Sequence, residues 1–277
     1  MRMRYGALAM LIALGFLVAV PAHAVPAPGK TSLRGWMGFS TLALGDINSQ
    51  IKAQRDAFMA DTLVDESLWN PFGGAPSLGI ELDQQLTPKV SAGLSASFQR
   101  TSVDHQVFRV FSLDPDTGEP AETESFDERI RISSWDVVAH ATLWVPSAPG
   151  LHFGAQVGLV RGTCDRNDVY HIDTNTQLPD LLITEGSFQG TGAVLGAFTG
   201  YEQTLGPQLS FMTRMGYRYR QIHRPIGTTY ITDFGDQGNT REWENGPLSD
   251  ASGKPMSLDL GGFYFQIGLS TTLGGGN

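Results

Sequence analysis

Seven residues set the chemistry this chain could gather in one place: Glu81, Asp83, Asp136, His140, Glu202, Arg214 and Arg218. Each falls on the polar parity of a stretch in which apolar and polar residues alternate, so all seven are expected on one side of a sheet. Counting from the nearest tight turns puts Glu81, His140, Glu202 and Arg214 at similar depth. Carboxylates, an imidazole and guanidinium groups in a narrow, water-poor space have two uses. They pair into a network that fills the space, because an unpaired charge there is heavily penalised, or they form a path for protons or ions. The paired network is the favoured expectation.

Other chemistry is thin. Asp114-Pro115-Asp116-Thr117-Gly118-Glu119 has the spacing of half a calcium loop but lacks the third acidic position and the distal glutamate, and reads as an acidic turn. A hydrolase would need a histidine and a serine with an acidic partner. His140 and His152 lie on the inward parity, while His105, His171 and His223 are expected at strand ends or in loops. Cys164 is the only cysteine and forms no disulfide within the chain. The expectation is no catalytic residue, no cofactor, no metal site and no enzyme.

The elements that position the charges are strands. Val90, Ala92, Leu94, Ala96 and Phe98 alternate with Ser91, Gly93, Ser95, Ser97 and Gln99, a period of two over the length of a tilted membrane strand. The same grammar covers 134–145, 151–159, 193–202, 209–220 and 263–273; with Leu78, Ile80 and Leu82 and a less regular run from Trp36 to Leu44, the count reaches eight. The polar face is mostly Gly, Ser, Thr and Gln, small enough to fill a narrow lumen, whereas a soluble sandwich or barrel would carry Lys and Glu there. Inward Gly93, Gly154, Gly158, Gly196 and Gly200 keep an open lumen in play.

Connectors alternate in length. Thr87-Pro88-Lys89, Pro146-Ser147-Ala148-Pro149-Gly150 and Gly206-Pro207 are tight turns. Those between, at 46–76, 110–128, 163–188 and 222–256, are long and hold 22 of the 28 acidic residues. Short on one side and long on the other is the pattern of a barrel with turns in the periplasm and loops outside. In the first long connector, segment 46–70, Ile47, Ile51, Phe58, Met59 and Leu63 fall near helical spacing, with Asp46 or Asn48 able to cap. This predicts a short helix over the barrel mouth or on the membrane surface, or else a plug entering the lumen.

The N-terminus sets the compartment. Arg2 and Arg4 precede an apolar stretch from Ala7 to Val20, then Ala22-His23-Ala24, which reads as a signal peptide over 1–24 that is cleaved before Val25, leaving 25–277 as one barrel domain. Removing it takes away two arginines and no acids, leaving 17 basic against 28 acidic side chains, a formal charge of −11. Such a balance excludes nucleic acid as a partner.

Leu44-Gly45-Asp46-Ile47-Asn48, the run from Leu82 to Ser95 through the first turn, Gly200-Tyr201-Glu202, Gly216-Tyr217-Arg218-Tyr219 and the run from Leu258 to Leu269 resemble the small outer-membrane β-barrel family related to OmpW and the membrane half of OmpA. These motifs are strand-and-turn grammar and carry no catalytic residue. Two departures stand out: the family usually ends on an aromatic residue, whereas this sequence continues past Leu273 with Gly-Gly-Gly-Asn, and the peptidoglycan-binding domain of OmpA is not expected here. The resemblance implies an all-β, eight-stranded antiparallel transmembrane β-barrel, an up-and-down meander with long extracellular loops, in the cell outer membrane. Expected partners are outer-membrane lipids and lipopolysaccharide, the barrel insertion machinery and a surface ligand. The expected role is structural or surface interaction; the alternative is a small pore or an OmpW-like conduit for hydrophobic molecules.

Overall fold

Alternation of small polar and bulky apolar residues makes strands that are sticky on one face only, and the chain meets that demand by closing a sheet on itself. The computed structural model describes residues 28–59, 64–68, 72–113, 120–174, 180–235, 238–250 and 252–273. In chain order these hold β1 (Thr31–Ser40), α1 (Gly45–Met59), β2 (Val64–Leu68), β3 (Ala75–Thr87), β4 (Val90–Leu113), β5 (Pro120–Trp144), β6 (Leu151–Thr174), β7 (Asp180–Thr204), β8 (Leu209–Ile222), β9 (Ile226–Gly235), β10 (Gly238–Pro247), β11 (Leu258–Asp259) and β12 (Gly262–Leu273). The ring runs β1-β3-β4-β5-β6-β7-β8-β12 and back to β1, antiparallel throughout. It closes through β1 and β12, with Thr31 opposite Leu273 and Ser40 opposite Tyr264. The expected eight-stranded meander is therefore the fold. A closed ring leaves no unpaired backbone edge, which is the condition for a sheet to cross hydrocarbon.

Parity then sorts the side chains. Outward Met37, Ile80, Val137, Leu159, Leu195 and Phe263 are exposed, while inward Arg34, Glu81, Asp136, Gln156 and Arg218 are buried. The outward set forms an apolar belt, with Trp135, Tyr217 and Phe263 among its aromatics; Tyr217 packs edge-on against Phe263 and Phe98 against Trp135.

Three sequence expectations change. The first strand lies at Thr31–Ser40, not Trp36–Leu44: outward Gly35 and inward Trp36 blur the alternation that Leu33, Met37 and Phe39 otherwise keep against Ser32, Arg34 and Ser40. The connectors expected at 110–128, 163–188 and 222–256 are in large part strand. β4 to β7 are 24 or 25 residues long, and β4 and β5 stay in register from Val90 opposite Leu143 to Val110 opposite Thr123. About ten residues cross a membrane, so more than half of each strand stands outside it. There the outer face meets water while the buried inner face carries polar His105, Glu124 and Glu128 beside Val107, so the sequence loses its apolar parity, which is why these hairpins read as loops. For the same reason His105 and His171 sit within strands rather than at strand ends or in loops. The acidic turn at Asp114–Glu119 and the segment 1–24 lie outside the described residues.

The outer extension is one-sided. β8 stops at Ile222, and Arg224, with φ of 50°, turns the chain before Pro225. β9 then takes over as the neighbour of β7 at residues 182–189, and β10 returns beside it. β2 flanks β4 on the other side, over Gln106–Arg109. An open sheet of β2, β4 to β7, β9 and β10 thus rises over half of the rim, while β1, β3, β8 and β12 end near it. From that lower rim, residues 41–44, α1 and the segments 248–250 and 252–261 turn over the mouth.

Candidate functional site in the barrel lumen

Above a floor of inward, buried Gln85, Ser91, Trp144 and His152 the lumen holds three layers. The lowest of these is ionic. Arg34 on β1 reaches Glu81 at 2.6 Å and Asp83 at 3.1 Å with Nη1, and Glu202 at 3.1 Å with Nη2. Arg214 on β8 holds Glu81 from the other side with two hydrogen bonds, 2.7 Å to Oε2 and 3.0 Å to Oε1, and its guanidinium lies 4.2 Å over the Phe198 ring. His140 Nε2 stands 3.1 Å from Asp83 and 3.4 Å from Glu81. Five strands supply these groups, and each side chain is there because its parity points inward at the same height.

The second layer surrounds Asp136. Its Oδ2 accepts from Arg220 at 3.1 Å and Ser97 at 3.2 Å and lies 3.5 Å from Arg218; Arg220 also donates to Gln99 at 2.9 Å. Arg218 stacks 4.4 Å above Tyr264. Across both layers, Glu81, Asp83, Asp136 and Glu202 face Arg34, Arg214, Arg218 and Arg220, all buried. Four carboxylates against four guanidinium groups make the set formally neutral, which is what lets it sit in a low-dielectric interior.

The third layer is apolar. Leu42, Leu44, Ile47 and Ile51 from the α1 segment, Phe72, and Leu248, Met256, Leu258 and Leu260 pack against inward Ile132, Val160, Val194 and Ile222 of the barrel wall. The expected helix is present as Gly45–Met59, with Ile47 and Ile51 turned inward; the side chains of Phe58, Met59 and Leu63 lie outside the described residues. Asp46 and Asn48, expected as caps, tie the lid down instead. Asp46 accepts from the amide and hydroxyl of Ser257 at 2.9 and 2.8 Å, and Asn48 exchanges hydrogen bonds with the Phe72 backbone. Leu44 N donates to Asp259 O at 2.7 Å and Ala43 N to Gly261 O at 2.9 Å, which ties the start of the lid to segment 258–261.

All seven residues singled out in the sequence are buried inside the barrel, five in the first layer and Asp136 and Arg218 in the second. Sequence reasoning missed Arg34 and Arg220. Arg220 was on the right parity, and continuing the count two residues past Arg218 would have found it. The inward glycines do not leave a channel: a methyl group at Gly93, Gly154, Gly196 or Gly200 would collide with His140, Phe198, Gln156 or His152 respectively. They make room for large neighbours. Glu81, Asp83 and His140 could each turn one ligand atom towards a metal ion, but Arg34 and Arg214 already neutralise Glu81, and two guanidinium groups beside it oppose a cation.

Above the membrane, on the inner face of the outer sheet, a smaller group joins His105 to Glu128 at 2.9 Å, Glu128 to Arg166 at 2.9 Å and Arg166 to Asp168 at 2.7 Å. Burial pushes the Asp168 carboxyl up to about 6, partly opposed by Arg166. Burial likewise pushes the neighbouring Cys164 thiol up to about 12, beyond the range of a reactive thiolate.

A closed eight-strand ring with an apolar outer belt, a neutralised ionic lumen and outward-extended hairpins defines a small outer-membrane β-barrel. No family model matches the chain, and no curated protein matches it in sequence. Similar solved structures include a major outer membrane protein from Thermus thermophilus (12% identity, 88% of this chain and 99% of that one, TM-score 0.41) and OprG from Pseudomonas aeruginosa (11%, 90% and 98%, TM-score 0.32). The outer membrane protease OmpT from Escherichia coli is also among them (9%, 93% and 100%, TM-score 0.32). That corrects the expectation that the chain is not an enzyme: similar barrels include a protease, so the architecture alone does not separate enzymes from non-enzymes.

Proposed function

We propose that this barrel is closed to solutes and acts through its outer surface, as a structural or surface-interaction protein of the outer membrane. The observation that carries the reading is the stacked filling of the lumen: two ionic layers, neutral when taken together, capped by the apolar layer of α1 with Leu248, Met256, Leu258 and Leu260. Eight strands enclose a space that side chains can fill, and here even the glycine positions are taken by neighbouring side chains. The feature left for interaction is the outer sheet, where Trp243 on β10 and Phe108 on β4 are exposed well beyond the belt. In this reading the partners are envelope lipid, the machinery that inserts such barrels and a ligand taken by the outer sheet. Planar-bilayer recording on the purified barrel tests it. The expected trace is silent; steady conductance from the unmodified protein would overturn the proposal in favour of a small pore.

A further inference from the structure

We infer that the outward faces of β4, β5 and β6, just beyond the apolar belt, bind the phosphate groups of outer-leaflet lipid through Arg161, Arg100 and Arg131, with Arg129 at the far end of the strip. The ladder fixes their heights. Trp135 stands opposite Phe98 on one side and Arg161 on the other, so Arg161 lies level with the aromatic pair at the top of the belt. Arg100 is opposite Ser133, Arg131 opposite Ser102 and Arg129 opposite Asp104, which places them one, two and three outward positions higher. Each such step is roughly 7 Å along a strand, and strand tilt shortens it along the membrane normal. The strip therefore starts at the edge of the hydrocarbon and runs through the headgroup zone.

All four side chains are exposed. Arg129 is held by Asp104 at 2.6 Å and Arg161 donates to Gln189 at 2.7 Å. Arg100 and Arg131 have no hydrogen-bond or ion-pair partner among the described residues, and Asp165, across the ladder from Arg131, accepts instead from Ser187 at 2.7 Å. In a chain of formal charge −9 such a gathering of arginines is against the average. Guanidinium groups grip phosphate with paired N–H donors, and the only anions that a bilayer fixes at this height are its own headgroups. The depression of about 410 Å³ beside Arg129 and Arg131, lined also by Arg166, Gly186 and Ser187 and by the carboxylates of Asp165 and Glu185, gives room for one. The inference rests on the membrane placement of the barrel and is independent of whether the lumen conducts.

The test compares the wild-type barrel with Arg100→Gln/Arg131→Gln/Arg161→Gln in phosphatidylcholine vesicles carrying lipid A, measuring lipid A retained by the purified protein. About a fivefold loss of affinity for each arginine removed is expected, on the order of a hundredfold for three. Lys52→Gln/Lys254→Gln, exposed cations off the strip, should bind as the wild type does. Lipid A stripped of phosphate should bind poorly, and free inorganic phosphate should not bind at comparable concentration. Equal retention by the triple variant, an equal loss in the lysine control, undiminished binding of dephosphorylated lipid, or equal binding of inorganic phosphate would each overturn the assignment. Heat-dependent gel mobility reports folding; if the triple variant misfolds, Arg131→Gln alone carries the comparison.

Discussion

Replacing Arg214 by alanine removes the group on which the deepest ionic layer turns. Two hydrogen bonds to Glu81, at 2.7 and 3.0 Å, and the contact over Phe198 are lost. Glu81 keeps Arg34 at 2.6 Å and His140 at 3.4 Å, so the carboxylate is weakened in its support but not abandoned. Breaking a fully buried pair costs roughly 3–5 kcal/mol; the surviving partners put this case at the lower end, about 3 kcal/mol. Urea unfolding of the barrel in lipid vesicles, followed by tryptophan fluorescence, reads the loss as a shift of the midpoint. Arg214→Met with Glu81→Gln removes both charges together and should cost less than Arg214→Ala alone, the signature of a pair whose halves matter to each other. A single change costing under about 1 kcal/mol would show that Arg34 and His140 suffice, and would refute the argument that the lumen charges are individually required.

Two further outcomes are expected outside the membrane. Because the folded Asp168 carboxyl lies at about 6 and its ordinary value is 3.8, the folded state binds more protons between those values, so stability falls as pH rises through about 4 to 6 and levels off above. The cost is at most about 3 kcal/mol, and Asp168→Asn should flatten that part of the curve in thermal melts; an identical pH profile in the variant would contradict the assignment. Cys164, buried with its thiol pushed up, should resist maleimide at neutral pH in the folded barrel and react fully in denaturant, and rapid labelling of the native protein would show that the wall around it opens.

The membrane half of the fold was legible because hydrocarbon outside and a narrow lumen inside impose opposite chemistry on successive residues. That contrast marked Leu94 as outward and His140 as inward from sequence alone. It failed in the first strand, where outward Gly35 and inward Trp36 blur the contrast and the reading fell on Trp36–Leu44, and it cannot show that Glu81 and Asp83 on the neighbouring strand and Glu202 on β7 receive Arg34. It failed again from Ser102 to Val110, where the outer face meets water and the buried inner face carries His105 beside Val107, so the apolar contrast fades while pairing with β5 continues the strand. The helix was visible in the spacing of Ile47 and Ile51, but its seat was not. Whether it lay on the lipid or over the mouth depended on Leu258 and Leu260, more than two hundred residues away in the chain.

The ionic layer also constrains assembly. Arg34 and Glu81 sit on neighbouring strands and can meet as soon as β1 and β3 pair, but Arg214 and Glu202 come from β8 and β7, on the other side of the β1–β12 seam. Their charges find partners only when the last seam, β1 against β12, is drawn shut. Until then a half-formed sheet would carry bare guanidinium and carboxylate groups into hydrocarbon, at a cost of several kcal/mol for each. Partly inserted forms are thereby disfavoured, and the completed cylinder is separated from them by a gap that the finished molecule's own contacts create, so that the same residues that block the lumen also make its construction all-or-none.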